Sequence, residues 1–114
     1  MTSLELRRLA LRATRNPTQW LPVLQDALLE RYGRQFENEI ADARRSAREL
    51  PTVMYVIVVY DPLAAIRGGR FGHRMTFRTY EVVSRDLDYT WPNSWVRLFA
   101  RQGRSIAFVA QGTR

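Results

Sequence analysis

The hydrophobic pattern of this chain changes its period at Pro51. Before that proline, apolar side chains recur every three or four residues, as they do along one face of a helix. After it, the run TVMYVIVVY over residues 52–60 is continuous in β-branched and aromatic residues, which is typical of a central strand buried on both faces. Helices followed by strands predict an α+β fold, with two to three N-terminal helices packed on one face of a mostly antiparallel sheet of about four strands.

The first helix of the helical part, residues 1–50, is predicted from a capping box. Thr2 and Glu5 have the spacing at which each side chain satisfies a backbone donor at a helix start, and the helix is expected to run to about Arg15. Its apolar residues share one stripe, which faces the core: Leu6, Leu9, Ala10 and Ala13.

Two more helices are predicted before the change of period. One is expected to start near Trp20 or Pro22 and to be capped by Gly33. The third carries a narrow apolar seam, which either closes within the monomer against the second helix or pairs with a neighbouring chain. The seam consists of Phe36, Ile40, Ala43, Ala47 and Leu50.

The sheet part, residues 52–110, contains further strand-like runs. HRMTFRTYEVV, residues 73–83, alternates between apolar and polar positions and predicts a strand with one face in the core and one in water. Met75, Phe77 and Val83 point to one side of that strand, and Arg74, Thr76, Arg78 and Tyr80 point to the other.

The last two runs, WVRLFAR and RSIAFVA, are separated by Gln102-Gly103, which predicts a tight hairpin turn. In that register one face of the hairpin carries large apolar side chains. It is either the larger half of the core or a surface for a protein partner. Its aromatic residues are Trp95, Phe99 and Phe108.

Size and composition narrow the class of protein. With 114 residues the chain is expected to form one domain, residues 1–114. No apolar run is long enough to span a bilayer and the N-terminus lacks the features of a secretory signal, so we expect no membrane association and a cytoplasmic protein, or one incorporated into a particle assembled in the cytoplasm. The chain has no cysteine and one histidine, so neither a structural metal nor a cofactor is expected.

The charge favours anionic partners. Eighteen basic residues against eleven acidic ones give a net charge of +7, and every basic residue is an arginine. Biased coding is the preferred explanation of the arginine usage, and selection for guanidinium chemistry is the alternative. Four arginines crowd the outer face of the first helix, which is either a contact for an anionic surface or a solvated face. They are Arg7, Arg8, Arg12 and Arg15.

The stretch RGGRFGHR, residues 67–74, combines three arginines, three glycines and the single histidine. It lacks the glycine-lysine-serine/threonine ending of a P-loop, and no helix start follows it, so it is not predicted to bind a nucleotide. It is either a solvent loop or a flexible loop that grips phosphates with weak sequence preference. The candidate residues for phosphate contact are Arg67, Arg70, Arg74 and Arg78.

His73 and Glu81 are the one pair that suggests acid-base catalysis. They are eight residues apart on one predicted strand, about 26 Å in extended chain, so they cannot flank one scissile phosphate without a sharp bend. No catalytic residue is therefore predicted, and His73→Ala is expected to leave biological activity largely intact.

Three functions remain, in this order. The first is a non-enzymatic structural subunit of a larger assembly, such as a virion or connector-type component. It would use the helix seam (Phe36, Ile40, Ala43, Ala47) or the aromatic face against protein neighbours, or against further copies of itself, with its arginines near nucleic acid. The second is a free, small, basic nucleic-acid-binding regulator. The third is a metal-independent ribonuclease-type toxin.

Overall fold

A computed structural model describes residues 1–62, 76–83 and 93–114 of the chain. Within these ranges it contains four helices and a three-stranded antiparallel sheet, so the α+β class is confirmed and the expectation of about four strands is wrong. The helices are α1 (Ser3–Arg15), α2 (Pro17–Tyr32), α3 (Arg34–Arg48) and α4 (Asn93–Arg101). The strands are β1 (Met54–Tyr60), β2 (Phe77–Val83) and β3 (Ser105–Gln111).

A side-chain cap marks the start of each of the first two helices. Thr2 Oγ1 accepts the Glu5 backbone N–H at 3.1 Å, which confirms the N-cap half of the predicted capping box; the Glu5 carboxylate accepts the Thr2 hydroxyl at 3.2 Å and not the Thr2 backbone N–H. Asn16 Oδ1 accepts the Gln19 N–H at 3.3 Å, and α2 begins at Pro17, earlier than predicted. The first backbone N–H groups of a helix have no partner within the helix, so proline, which has no N–H, loses no hydrogen bond at the first position. For this reason α2 can begin directly at the proline of the Asn-Pro break.

Helices α1, α2 and α3 cover one face of the sheet. The predicted apolar stripe of α1 is fully buried, and it meets Leu24 and Leu28 of α2. Strand β1 contributes its alternate residues Val56, Val58 and Tyr60 to the same cluster. The seam of α3 faces this core, with Phe36, Ala43 and Ala47 buried and Ile40 packed against them.

Strand β1 is the centre of the sheet, as its continuous apolar run predicted. Antiparallel β2 and β3 flank it, so that Val58 pairs with Thr79 on one side and with Phe108 on the other. All five residues from 56 to 60 are buried, because both faces of the strand are covered. The register to β3 shifts by one residue between Val58 and Val59.

The segment predicted as the first strand of a C-terminal hairpin is helix α4, so that prediction is wrong. Gln102-Gly103 ends the helix instead of turning a hairpin. Gly103 has φ 73°, its N–H donates to the Ala100 carbonyl at 3.0 Å, and the Arg104 N–H donates to the Phe99 carbonyl at 2.9 Å. These two bonds form a Schellman motif, for which glycine is the favoured residue.

Helix α4 packs on the face of the sheet opposite α1, α2 and α3. Phe99 is buried against Ile57, Val59, Val82 and Ile106. The expectation that helices cover only one face is therefore wrong, because it rested on the N-terminal helices alone. The face of β2 predicted to point into water is partly covered for the same reason.

The last residues of the chain close the junction between α3 and β1. The Thr113 N–H donates to the Ala47 carbonyl at 3.2 Å, and the Arg114 N–H donates to the Leu50 carbonyl at 2.9 Å. The Ala47 carbonyl also accepts the Leu50 N–H at 3.1 Å, so these bonds tie residues 113–114 to the last turn of α3 and the residues that follow it. A Cβ at Gly112 would lie 2.0 Å from the Pro51 carbonyl oxygen, so only glycine fits there.

Candidate functional site

The predicted phosphate loop falls mostly on a part of the chain that the structure does not describe. Arg67, Arg70, Arg74 and His73 lie outside the described residues. Arg78 is described: it is exposed on β2, opposite Val59 of β1, on the side of the sheet where α4 packs. The prediction that these arginines contact a phosphate backbone stays a prediction.

The residues predicted to face a protein partner are largely used inside the chain. In the helix seam, the side chains of Phe36, Ala43 and Ala47 are at most 3% exposed, and Ile40 packs on the same cluster. Of the two readings of that seam, closure within the monomer is the one the structure shows.

The predicted aromatic face does not exist as one surface. Phe99 is buried under α4, whereas Phe108 packs against the core on the opposite side of the sheet, where the Arg44 guanidinium lies 5.2 Å from its ring centroid. A strand over residues 95–101 would bring the two rings to one face, but these residues belong to α4. Trp95 belongs to α4 by its backbone, and its side chain lies outside the described residues.

The strongest concentration of exposed positive charge among the described residues is on α1. We call its four exposed arginines, which point away from the buried stripe, the arginine face. None of them forms an ion pair with another described residue, and Glu5, whose carboxylate accepts the Thr2 hydroxyl, is the one acidic residue of the helix. The arginine face consists of Arg7, Arg8, Arg12 and Arg15.

Helix α3 has as many arginines as α1 but a different electrostatic environment. Its arginines are interspersed with Glu37, Glu39 and Asp42, and Arg45 Nη1 lies 3.1 Å from the Asp42 carboxylate. Burial and, to a smaller extent, the nearby charge of Asp42 raise the pKa of Glu39 above its ordinary value. The surface of α3 is therefore of mixed sign, whereas that of α1 is almost purely positive.

Besides Arg44, which lies over Phe108, two described arginines contact aromatic rings. The Arg12 guanidinium lies 5.2 Å from the centroid of the Trp20 ring, which joins the arginine face to α2. Arg104 is half-buried between Phe99 and Tyr80, 5.3 and 5.6 Å from their ring centroids, and donates a hydrogen bond to the Tyr80 hydroxyl. Arg104 thus holds α4 to β2, while Arg12 keeps an exposed charge.

A shallow cleft separates α1 from the end of α4. Arg7, Leu11 and Thr14 line one side of it, and Ala100 and Arg104 line the other. It opens to the surface and encloses about 60 Å³. Its wall is mainly apolar, with the two guanidinium groups at its sides.

Groups with catalytic or metal-binding chemistry are sparse in the described ranges. No three acidic or histidine side chains there are arranged to hold a metal ion. The Tyr32 and Tyr60 hydroxyls lie 3.3 Å apart, and burial with this contact raises the pKa of Tyr60 far above its ordinary value, so the phenol stays neutral and cannot act as a base. Among the described helices, none has the length and apolarity needed to cross a membrane.

Comparison with known proteins gives no relative from which a function can be transferred. The chain matches no family model, no curated protein and no solved structure.

Proposed function

We propose that this protein is a small, non-enzymatic nucleic-acid-binding protein that holds the phosphate backbone with the arginine face of α1. The observation that carries the proposal is the arrangement of that face. Four exposed guanidinium groups lie within nine residues of one helix, the opposite stripe of the helix is fixed in the core, and one acidic residue accompanies them.

Guanidinium chemistry supports phosphate as the ligand. The planar fork of arginine donates two parallel hydrogen bonds to a phosphate and keeps its charge at every physiological pH. A helix anchored by its buried stripe presents these forks without ordering cost for the backbone. Each phosphate that is neutralised releases condensed counterions, which is the main source of affinity for a nucleic-acid backbone.

The proposal takes the second of the three functions predicted from the sequence in preference to the first. The assembly-subunit prediction depended on the helix seam and on the aromatic face, and most of their described side chains are buried in the monomer. A place in an assembly stays a prediction without an assigned surface. The arginine face, in contrast, is exposed and has no internal function that explains its sign.

The non-enzymatic part of the proposal rests on the sequence. His73 is the one histidine, and its only suggested partner, Glu81, is eight residues away, about 26 Å in the extended strand predicted from the sequence, which is too far to share a substrate atom. Glu81 itself is exposed on β2 opposite Val56.

The test compares two variants that remove the same charge from different helices. One replaces the four arginines of α1 with glutamine. The matched control does the same on α3, at Arg34, Arg44, Arg45 and Arg48. Binding of a labelled DNA duplex is measured by fluorescence anisotropy from low to high salt. The slope of log affinity against log salt should flatten in the α1 variant by up to about 0.9 per lost contact, and much less in the control.

Circular dichroism checks that both variants keep the helical content of the wild type. Wild-type protein that binds no DNA or RNA at low salt would contradict the proposal. Equal losses of slope in the two variants would also contradict it, because affinity would then follow net charge and not the arginine face.

A further inference from the structure

The most outward line of α1 alternates leucine with arginine. With 3.6 residues per turn, four residues spaced by four, three and four positions fall on the side of the helix opposite the buried stripe. Leu4 is 55% exposed and Leu11 is 52% exposed, although leucine is a large apolar side chain that is usually buried. We call this line the outward ridge; it consists of Leu4, Arg8, Leu11 and Arg15.

The other two arginines of the arginine face flank the ridge. Viewed down the helix, Arg7 lies about 70° to one side of the ridge and Arg12 about 70° to the other, from the rotation of about 100° per residue. Arg12 lies against the Trp20 ring, whereas Arg7 and the ridge residue Leu11, which keeps 52% of its surface exposed, line the cleft beside α4. The face therefore has charge on both flanks and a mixed apolar and cationic centre.

This arrangement matches the major groove of double-stranded DNA. The groove is about 12 Å wide and admits an α-helix, with a phosphate backbone on each side and base edges at its floor. Flanking arginines then meet phosphates of the two strands. Ridge arginines have the fork that pairs with guanine O6 and N7, and ridge leucines offer apolar contact to the thymine methyl group.

We infer that α1 enters the major groove of B-form DNA with the outward ridge toward the base edges. The inference rests on the proposed function and narrows its ligand to the DNA duplex. From Leu4 to Arg15 the ridge is about 16 Å long at about 1.5 Å per residue, which spans about five base pairs. Sequence preference then resides in the ridge, and most of the backbone affinity in its flanks.

Other partners fit the ridge less well. The two leucines are two turns apart with Arg8 between them, so they form no continuous apolar strip of the kind that inserts into a lipid interface. An acidic protein surface would also match the charge of the face. A face built for such a surface would bind DNA and RNA duplexes by charge alone, without preferring one helical form. Both partners are therefore outcomes of the test.

The first experiment compares one sequence as a DNA duplex, as an RNA duplex and as single-stranded DNA, each at one fixed salt concentration. The deep, narrow major groove of A-form RNA does not admit a helix, so the DNA duplex should bind at least tenfold more tightly than the RNA duplex. Equal affinities would overturn the inference while leaving the proposed function intact. Absence of binding to all three would overturn the proposed function.

The second experiment locates the sequence preference. Duplexes are selected from a randomised pool, and the selected sequence is compared with a scrambled one for the wild type and two charge-preserving variants. R8K/R15K keeps the charge but loses the bidentate fork, so the preference should fall by about tenfold or more while affinity for the scrambled duplex stays nearly constant. R7K/R12K is the matched control and should retain the preference.

A pool that yields no preferred sequence would overturn the inference, as would a preference that survives in R8K/R15K. Anionic phosphatidylserine vesicles and an acidic peptide are tested beside the duplexes. Tighter binding of either than of the selected duplex, abolished by L4A/L11A, would assign the ridge to that partner and overturn the inference as well.

Discussion

Tyr60 illustrates how one polar atom is accommodated in the core on the α1 side of the sheet. Its side chain is 2% exposed, and its hydroxyl group contacts that of Tyr32, whose ring is tilted against it with the centroids 5.9 Å apart. Burial is the main cause of the raised pKa of Tyr60, because the phenolate would lose its hydration, and the contact with Tyr32 adds to it.

The raised pKa predicts a loss of stability in alkali. Above about pH 10 a tyrosine ionises in the unfolded chain, while Tyr60 stays protonated in the folded one, so the unfolded state binds fewer protons and the free energy of unfolding falls as pH rises. One such group contributes at most about 1.4 kcal/mol per pH unit. Urea unfolding of the wild type and of Tyr60→Phe between pH 8 and 11 measures the difference.

Tyr60→Phe should show a shallower decline in this range, with the curves converging in their slopes below about pH 9. Tyr55→Phe is the control, since Tyr55 lies on the same strand but is only partly buried. Parallel declines of wild type and Tyr60→Phe would contradict the assignment of the effect to Tyr60.

Individual residues were predicted well where local chemistry decides their role. The capping pair Thr2 and Glu5, the stripe of α1 and the cap at Gly33 depend on neighbours within a few positions, and all three are present. The Arg12 contact to Trp20 crosses the break between two helices, and the exposure of Leu4 and Leu11 depends on what α1 leaves uncovered. The spacing of residues does not encode the contact of Arg12 with Trp20, and it encodes the exposure of Leu4 and Leu11 only through their position opposite the buried stripe.

Among the helices and strands, α4 is the one for which the spacing of apolar residues predicted the wrong type of element. WVRLFAR offers apolar residues at both strand and helix spacings, and seven residues are too few to separate the two periods. Its Leu, Arg and Ala are good helix formers, and the Gly103 position fits a helix end as well as a turn. Packing decides between them: as a helix, the segment packs Phe99 against Ile57 and Val59 on one face of β1.

The end of α4 makes a prediction at this scale. Gly103→Ala should lower the free energy of unfolding by about 1–2 kcal/mol, because alanine pays that amount at the left-handed φ of 73°. Gly103→Asn should cost less, since asparagine tolerates this conformation. Chemical denaturation measures both, with the exposed neighbour Gln102→Ala as control, expected within about 0.5 kcal/mol of wild type.

A hairpin at this position would make a different prediction for Gln102. The first central residue of a two-residue hairpin turn has a positive φ, so Gln102→Gly would relieve strain there and raise the free energy of unfolding. At the helical end of α4 the same substitution should lower that free energy or leave it unchanged, so a rise would contradict the helical end of α4.

For the whole molecule, β1 joins two hydrophobic clusters. Its alternate residues Val56, Val58 and Tyr60 belong to the cluster under α1, α2 and α3, whereas Ile57 and Val59 belong to the cluster under α4. Neither cluster can lose its packing without exposing one face of the same strand. This sharing gives a physical reason to expect that residues 1–114 fold as one domain.

A pair of matched core variants tests that expectation. Phe36→Leu in one cluster and Phe99→Leu in the other should each lower the free energy of unfolding by about 1–2 kcal/mol. Hydrogen exchange should show that Phe99→Leu weakens the protection of the slowest amides in α3 and β1 as much as in α4. Loss of protection confined to α4 would indicate that the α4 side is an independent unit.

The central position of β1 also has a kinetic consequence. Its partners are distant in sequence: Tyr55 pairs with Gln111, and Tyr60 pairs with Phe77. The helices form from local contacts, but β1 waits for closure of long loops, and such pairings slow folding. Until both partners arrive, an apolar strand with two open edges is available to other chains, so the same run that makes this sheet stable is the segment most prone to aggregate during folding.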